Sequence, residues 1–356
     1  MTTWIIASPN FEGGCERYIS NKVFDVLSQQ STCRPYRNVH WVTGDVTGRP
    51  EKKSPGSPFY DDRKYTDYII TLMQAPHWSR DSWWEKVSDG DVVVMCDFWT
   101  PGLDLIKYAI TMGMKKDVRF AGYLHGASFV PGDMMEDCED WIKTMEVSLL
   151  SIYDQIWCAS KFFSESIPYP HRKKARIVGE PFDPNDYTDQ YRDIHGTKKY
   201  DVCFPHRVDY DKGPDNLINI ATMMPKHSFV IMGNSVANNN WVEQLKELPN
   251  VTMKMNVSDE EHLQILGSSK VVLSTAIQEG WGYGVMKAIA CGCIPVLPNR
   301  AVYPELYENM YLYDNIAQAV TMISNYTAFY PNKTFMPRSY NLENIKNCLE
   351  EIWTQD

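Results

Sequence analysis

The stretch KVVLSTAIQEGWGYGVMKAIACGCIPVLP, residues 270–298, decides the fold class. Lys270–Ser274 is a short, almost continuously apolar run, the pattern of a strand buried on both faces of a parallel sheet. Gly280, Gly282 and Gly284 then alternate with bulkier residues, and a helical segment runs on towards Cys291-Gly292. A second apolar run, Ile294–Leu297, follows. Strand, glycine turn, helix, strand is the repeating unit of an α/β fold. Free backbone N–H groups at such a helix start make an anion site, and glycines let a ligand approach the chain closely. A tight strand-to-helix connection with no ligand would use the same residues.

Outward from this stretch, similar runs recur at helix-sized intervals. In the second half they are Asp201–Pro205, Ser228–Met232, Val251–Met255 and Met310–Tyr313. In the first half they are Trp4–Ala7, Val39–Thr43, Asp91–Asp97, Arg119–His125, Gln155–Ser160 and Arg176–Gly179. Helices are expected over Leu103–Met114 and Asp133–Tyr153, the latter with Trp141, Met145, Leu149 and Ile152 on one face. Ser258-x-x-Glu261 predicts a capped start for Asp259–Leu266. Between the two series, Glu180–Lys199 turns polar and turn-rich. The pattern predicts two Rossmann-like lobes facing across a cleft, residues 1–182 and 200–338, joined by a linker at 183–199. A C-terminal helix within 339–356 should pack back through Leu342, Ile345, Leu349 and Ile352. Residues Asp45–Arg63 read as a long polar loop, either a functional lid or simply mobile.

A chain of 356 residues, 44% hydrophobic, can bury a core without disulfides or a structural metal. Its net charge of −10 argues against wholesale coating of nucleic acid or an anionic membrane, while leaving room for a local basic groove. Eleven Trp, 21 Tyr and 13 Phe exceed what a minimal core needs and favour clefts that grip ring-shaped ligands. There is no run of about 18 apolar residues, and Met1–Ser8 leads into a strand-like segment with no basic region or cleavage site. A cytoplasmic protein with no membrane partner is expected. The nine Cys lack any CxxC and read as reduced, buried thiols, with Cys291 and Cys293 as packing residues.

The strongest candidate constellation begins after Asp201–Pro205, in His206-Arg207-Val208-Asp209-Tyr210-Asp211-Lys212-Gly213. Arg207 and Lys212 there stand at the carboxyl edge of a parallel sheet, where ligands bind in doubly wound folds. A planar fork beside a point charge suits a diphosphate; two solvated surface cations would read the same. Glu279 precedes the glycine turn in the same lobe. His206 is either a loop histidine or a ligand contact, and Trp281 either core or a stacking wall. Asp209-x-Asp211 and Asp89-x-Asp91 have the look of metal-binding pairs, but turns favour Asp in any case. The cluster His171-Arg172-Lys173-Lys174-Ala175-Arg176 is either a solvated run or a set of contacts to a phosphate backbone. No GxGxxG follows the first strand, which disfavours a two-lobed dehydrogenase.

Taken in order, Arg207-x4-Lys212-Gly213, Glu279-Gly280-Trp281-Gly282 and Ala290-Cys291-Gly292-Cys293-Ile294-Pro295-Val296 resemble the retaining GT-B glycosyltransferases of the large family 4 type. The first half fits through Ile5–Ser8 leading to Gly13-Gly14, the strand ending in His125, and Asp154–Ser160. Within that family, Pro205-His206-Arg207, Asp211-Lys212, Ser274-Thr275-Ala276 and Val302-Tyr303-Pro304-Glu305 look most like the queuosine-tRNA mannosyltransferase branch. Phage DNA-modifying glycosyltransferases are similar in size and organisation.

The resemblance implies roles. Arg207 and Lys212 would neutralise the donor diphosphate, Glu279 would hydrogen-bond the donor sugar, and His125 would reach a sugar hydroxyl from the other lobe. Gly280, Trp281, Gly282, Tyr283 and Gly284 would line the donor site, with backbone amides on the distal phosphate, and Gly13 and Gly14 would let the first loop approach. The family usually carries a second acid eight residues after the first, on the ribose; here that position is Lys287, so ribose recognition must differ or Glu305 substitutes. Catalysis would be positioning and leaving-group electrostatics, with no catalytic metal and no cofactor beyond the nucleotide-sugar co-substrate. The implied donor is a UDP- or GDP-sugar. The favoured acceptor is a hydroxyl of a modified base in nucleic acid, either hydroxymethylpyrimidine in DNA or queuosine in tRNA. Its phosphates would meet Arg49, Lys52, Lys53, Lys173, Lys174 and Arg176. A lipid or cell-surface glycan acceptor, and a nucleotide-sugar-binding protein impaired in catalysis, are the rival readings.

Overall fold

The computed structural model describes residues 2–6, 22–23, 39–42, 86–99, 103–133, 135–187, 198–233, 240–330 and 343–354. Gly13, Gly14, the loop Asp45–Arg63 with Arg49, Lys52 and Lys53, and Leu342 lie outside them. The chain divides into two compact units, residues 1–182 with 340–356, and residues 183–339.

The first unit is built on a parallel sheet of β1 (Thr3–Ile6), β2 (Val39–Val42), β3 (Val92–Met95), β4 (Arg119–Leu124), β5 (Gln155–Cys158) and β6 (Ala175–Ile177). Their order is β2-β1-β3-β4-β5-β6. The helices are α1 (Leu103–Tyr108, continuing as a wide turn over Ala109–Gly113), α2 (Asp140–Ile152) and α3 (Lys161–Ser166). All four residues of β3 are buried, as a continuous Val-Val-Val-Met run demands when both faces are covered. Val93, Phe120, Leu124 and Ile156 share one core with Leu103, Leu149 and Leu150.

Helix α2 begins later than the apolar spacing suggested. Its buried stripe is Ile142, Glu146, Leu149 and Leu150, and Trp141, expected to face the core, is 60% exposed. Trp141 sits in the first turn, where its indole N–H donates to Glu139 at 2.6 Å. That hydrogen bond lets the ring lie outward, and the stripe rotates by one residue.

The second unit holds β7 (Tyr200–Phe204), β8 (Phe229–Gly233), β9 (Val251–Met255), β10 (Ser269–Leu273), β11 (Ile294–Pro298) and β12 (Leu312–Tyr313). Their order is β12-β11-β10-β7-β8-β9, with every described pairing parallel. Helices α4 (Pro214–Met223), α5 (Asn240–Glu247), α6 (Asp259–Gly267), α7 (Tyr283–Ala290), α8 (Tyr303–Leu306) and α9 (Ile316–Ala328) connect them. The chain runs outward from β7 to β9, then returns to β10 on the other side of β7 and runs outward again. This is the Rossmann order, and its switch point lies between β7 and β10, where the loops leaving both strands diverge and open a crevice. Ser258 caps α6, accepting from the Glu261 N–H as the spacing predicts.

The last helix, α10 (Glu343–Thr354), belongs to the first unit. Ile345, Leu349 and Ile352 are buried to 2% exposure or less, which at roughly 1.5–3 kcal/mol per side chain docks it firmly.

Candidate functional site

At the switch point of the second sheet, two loops are welded together. The loop after β7 passes through Pro205, His206 and Arg207 into a tight turn, Tyr210–Lys212, and then into Gly213. The loop after β10 runs from Ser274 to Gly282. Ile277 and Gln278 donate their N–H groups to the Asp211 carbonyl at 2.8 and 3.2 Å. The Thr275 hydroxyl donates to the Lys212 carbonyl at 2.7 Å. Two glycines make this approach possible. Gly213 has φ +60°, and a β-carbon there would collide with the Thr275 carbonyl; one on Gly284, at the start of α7, would lie 2.6 Å from the Pro205 carbonyl.

The charged side chains converge on the same junction. Arg207 pairs with Asp209 at 2.7 Å and with Asp211 at 2.6 Å. Lys212 pairs with Asp211 and Glu279, each at 3.1 Å, and donates to the Gln278 carbonyl at 3.0 Å. One oxygen of Asp211 therefore bridges both cations. Burial acts to raise the Asp211 carboxyl, but Lys212 and Arg207 outweigh it and hold the group below its ordinary value. Glu279 is treated alike: burial raises it, and Lys212 more than compensates. His206, 6% exposed, is pushed by burial down to about 4, so its ring is neutral at pH 7 although Glu279 lies 3.8 Å away. Its Nε2 and the Tyr307 hydroxyl are buried with no hydrogen-bond partner among the described residues. Arg207, Lys212 and Glu279, singled out from sequence, are thus brought together. Asp209 and Asp211, read there as turn formers or a metal pair, are their counter-charges.

The remaining residues of the glycine turn frame this cluster. Trp281 is 5% exposed and packs as core. Gly282, at φ +89°, caps α7, and Tyr303 and Glu279 lie about its α-carbon. Lys287, one turn into α7, stands over the Tyr187 ring at 5.7 Å. His262 is held down to about 4 by burial and by the Lys287 charge. Glu305 lies on α8.

In the first unit, His125 follows β4 at the carboxyl edge of its sheet. Its Nε2 lies 2.8 Å from the Cys96 carbonyl and its Nδ1 3.4 Å from Glu180, and the ring stacks on Tyr123 at 4.8 Å. Burial disfavours the charged ring, but the Glu180 hydrogen bond and charge prevail and raise it to about 9. At neutral pH both nitrogens are then donors, one to a carbonyl and one to a carboxylate. Glu180, buried to 7%, lies where the chain turns polar after β6 and was not singled out from sequence. Nor was Glu146, fully buried on α2, which accepts from the Ser128 N–H at 2.9 Å and from its hydroxyl.

The basic run 171–176 lies at the opposite, amino edge of that sheet, since β6 starts at Ala175. Lys174 donates to the carbonyls of Leu150, Ser151 and Tyr153 at the C-terminal end of α2. Arg176 forms a two-pronged pair with Glu351 on α10 and donates to the Lys173 and Ala175 carbonyls. Lys173 stands over the Tyr169 ring, which is 77% exposed. Of the expected phosphate contacts, Lys174 and Arg176 are therefore engaged in holding helices, and Arg172 and Lys173 are the exposed part of the run. The acid pairs are engaged too. Asp91 accepts from the Thr2 and Ser88 N–H groups and the Trp4 indole, and Asp89 accepts from the Asp117 N–H. Among the described residues no cluster of three His, Cys, Asp or Glu could hold a metal ion, and no helix is long and apolar enough to cross a membrane.

The arrangement agrees with what the chain is similar to. Residues 188–315 match the glycosyl transferases group 1 family, and they contain the whole junction just described. The architecture is the α/β two-lobe GT-B fold. Sucrose-phosphate synthase from Thermosynechococcus elongatus superposes with a TM-score of 0.66 at 12% identity, over 100% of this chain and 97% of that one. The catalytic domain of starch synthase IV from Arabidopsis thaliana gives 0.61 at 12% identity, over 100% and 95%. In sequence, a 128-residue segment is 30% identical to the tRNA-queuosine alpha-mannosyltransferase of Drosophila melanogaster. That segment is 34% of this chain and 33% of the relative, so the match spans about a third of the relative's length.

Proposed function

We propose that the protein is a glycosyltransferase that moves a sugar from a UDP- or GDP-sugar to a hydroxyl of a modified base in nucleic acid, with retention and without a catalytic metal. The observation that carries this reading is the convergence of Arg207, Lys212 and Glu279 at the switch point between β7 and β10. The Arg207 fork and the Lys212 ammonium neutralise the diphosphate as the sugar departs. Amides of Gly282, Tyr283 and Gly284, at the start of α7, take the distal phosphate. Glu279 accepts from a sugar hydroxyl, and neutral His206 and the Tyr307 hydroxyl offer further hydrogen-bonding capacity beside it. Charge that develops in the transition state meets fixed groups, each such contact typically contributing about 10²–10³ in rate. The acid pairs that could serve a metal are committed to backbone amides, an indole and Arg207, which supports a metal-free leaving group.

The relative's printed name favours queuosine in tRNA as acceptor over hydroxymethylpyrimidine in DNA. Exposed Arg172 and Lys173, beside Tyr169, with Arg49, Lys52 and Lys53, supply the phosphate contacts. A second reading, a nucleotide-sugar-binding protein without transfer, draws on Lys287 in the place of an expected acid.

The test is transfer from labelled UDP- and GDP-sugars to queuosine-containing tRNA and hydroxymethylated DNA. Transfer to one of them is expected, falling at least about 100-fold in Arg207→Ala and in Lys212→Ala. EDTA should cost less than about threefold, well under 1.4 kcal/mol. Undiminished transfer in both variants refutes the diphosphate assignment. Transfer to lipid or glycan acceptors alone refutes the nucleic-acid acceptor, and donor binding with neither transfer nor hydrolysis establishes the second reading.

A further inference from the structure

The junction contains more negative charge than positive. Arg207 and Lys212 face three carboxylates, Asp209, Asp211 and Glu279, which leaves one excess negative charge while His206 is neutral. A diphosphate adds at least two more. Close like charges cost several kcal/mol in a partly buried site, so one carboxylate has to leave the cations when the diphosphate arrives.

The three carboxylates differ in their freedom to do so. Asp211 has 6% of its side chain exposed, bridges both cations, and has its backbone carbonyl bound to Ile277 and Gln278. Glu279 is 15% exposed and held by Lys212. Asp209 is 22% exposed, touches Arg207 rather than Lys212, and sits before the tight turn on extended backbone at φ −129°, ψ 162°. A rotation about its side-chain bonds moves the carboxylate towards solvent without disturbing the weld between the loops.

We propose that Asp209 is a resident competitor for the phosphate fork: its carboxylate occupies the Arg207 guanidinium in the empty site and is displaced by the donor's diphosphate. This rests on the assignment of Arg207 to the diphosphate. Asp209 weakens the hold of Arg207 on any phosphate and speeds the release of the nucleoside diphosphate product, because the carboxylate returns as the product leaves. Asp211, in contrast, is a positioning residue that keeps the two cations side by side.

The experiment is calorimetric titration of the full chain with UDP, GDP and inorganic pyrophosphate. Wild type, Asp209→Asn, Asp211→Asn and Arg207→Ala are compared, each checked for native circular dichroism. Asparagine keeps the shape and removes the charge, so Asp209→Asn should bind the preferred nucleoside diphosphate about 5–20-fold more tightly and be inhibited by it at correspondingly lower concentration. Asp211→Asn should bind it more weakly. Equal or weaker binding by Asp209→Asn, with Arg207→Ala still losing affinity, overturns the role of Asp209 and leaves the donor site standing. Wild-type affinity in Arg207→Ala, or no binding of any of the three probes by the wild type, overturns the diphosphate assignment and this inference with it.

Discussion

Gly284→Ala pits helix propensity against the contact between two loops. Alanine is preferred to glycine inside a helix by roughly 0.8–1.0 kcal/mol, and Gly284 is the second residue of α7. On propensity alone the change stabilises. Its β-carbon, however, would lie 2.6 Å from the Pro205 carbonyl oxygen and 3.5 Å from the Pro205 ring. Ordinary contact needs about 0.6–0.8 Å more, and both partners are backbone, so neither can swing aside. Overpacking of this kind costs typically 1–3 kcal/mol. The net expectation is destabilisation by about 1 kcal/mol, as α7 is driven away from the end of β7. Because Arg207 is two residues beyond Pro205, nucleoside diphosphate affinity should fall as well. The control is Gly113→Ala, where nothing lies within 4 Å of the new carbon, so the same substitution should be neutral or stabilising by up to about 1 kcal/mol. Urea denaturation of the full chain gives the stabilities, with hydrogen exchange of peptides from 200–233 and 103–124 assigning each change to its unit. If Gly284→Ala is as stable as the wild type and binds nucleoside diphosphate equally well, the close approach of α7 to β7 does not hold the junction together.

Lys174→Met should lower stability by about 1 kcal/mol by uncapping the carbonyls at the end of α2, with the salt dependence of acceptor binding unchanged; a flatter salt slope at unchanged stability would return Lys174 to the acceptor surface. His125, raised to about 9, contributes stability that is fully present below pH 6.5 and lost as pH rises through 9. Glu180→Gln should remove that slope in denaturation curves taken from pH 6 to 9.5. His206, lowered to about 4, has the opposite sign: stability is complete above pH 6.5 and falls towards pH 4 as the unfolded chain takes up the proton first. His206→Phe should flatten the fall between those values, leaving the smaller part due to His262.

Much of the fold was legible because buried parallel strands are written as continuous apolar runs. The twelve runs read from sequence correspond to β1–β12, with ends shifted by a few residues at most where side chains at the strand edge, such as Asp97, His125 and Pro205, turn out to lie in loops. The donor-side candidates were legible for a related reason. A strand that ends in Arg207, or feeds Glu279 and a glycine turn, announces its carboxyl edge.

What the sequence withheld were pairings between residues far apart. Nothing local to Lys174 says that its ammonium meets carbonyls 21 to 24 positions earlier, or that Arg176 waits for Glu351, 175 positions later. A basic run has no periodicity to reveal such partners, so it reads as a surface patch. Glu180 and Glu146 were hidden in the same way, the first at the edge of a polar segment and the second inside a stripe that the pattern placed one residue off. Asp209 and Asp211 were visible as residues but not as counter-ions, because only the fold shows that Arg207 turns back onto both.

The return of α10 to the first unit sets a schedule for synthesis. Residues 183–339 form an unbroken segment and can close as soon as they leave the ribosome. The first unit is begun earlier but completed later, since Ile345, Leu349 and Ile352 emerge only after that whole segment has been made. At roughly 5–20 residues per second this is a wait of about 10–30 s, during which the face that α10 covers stays open to water or to a chaperone. The unit translated first is therefore the unit finished last.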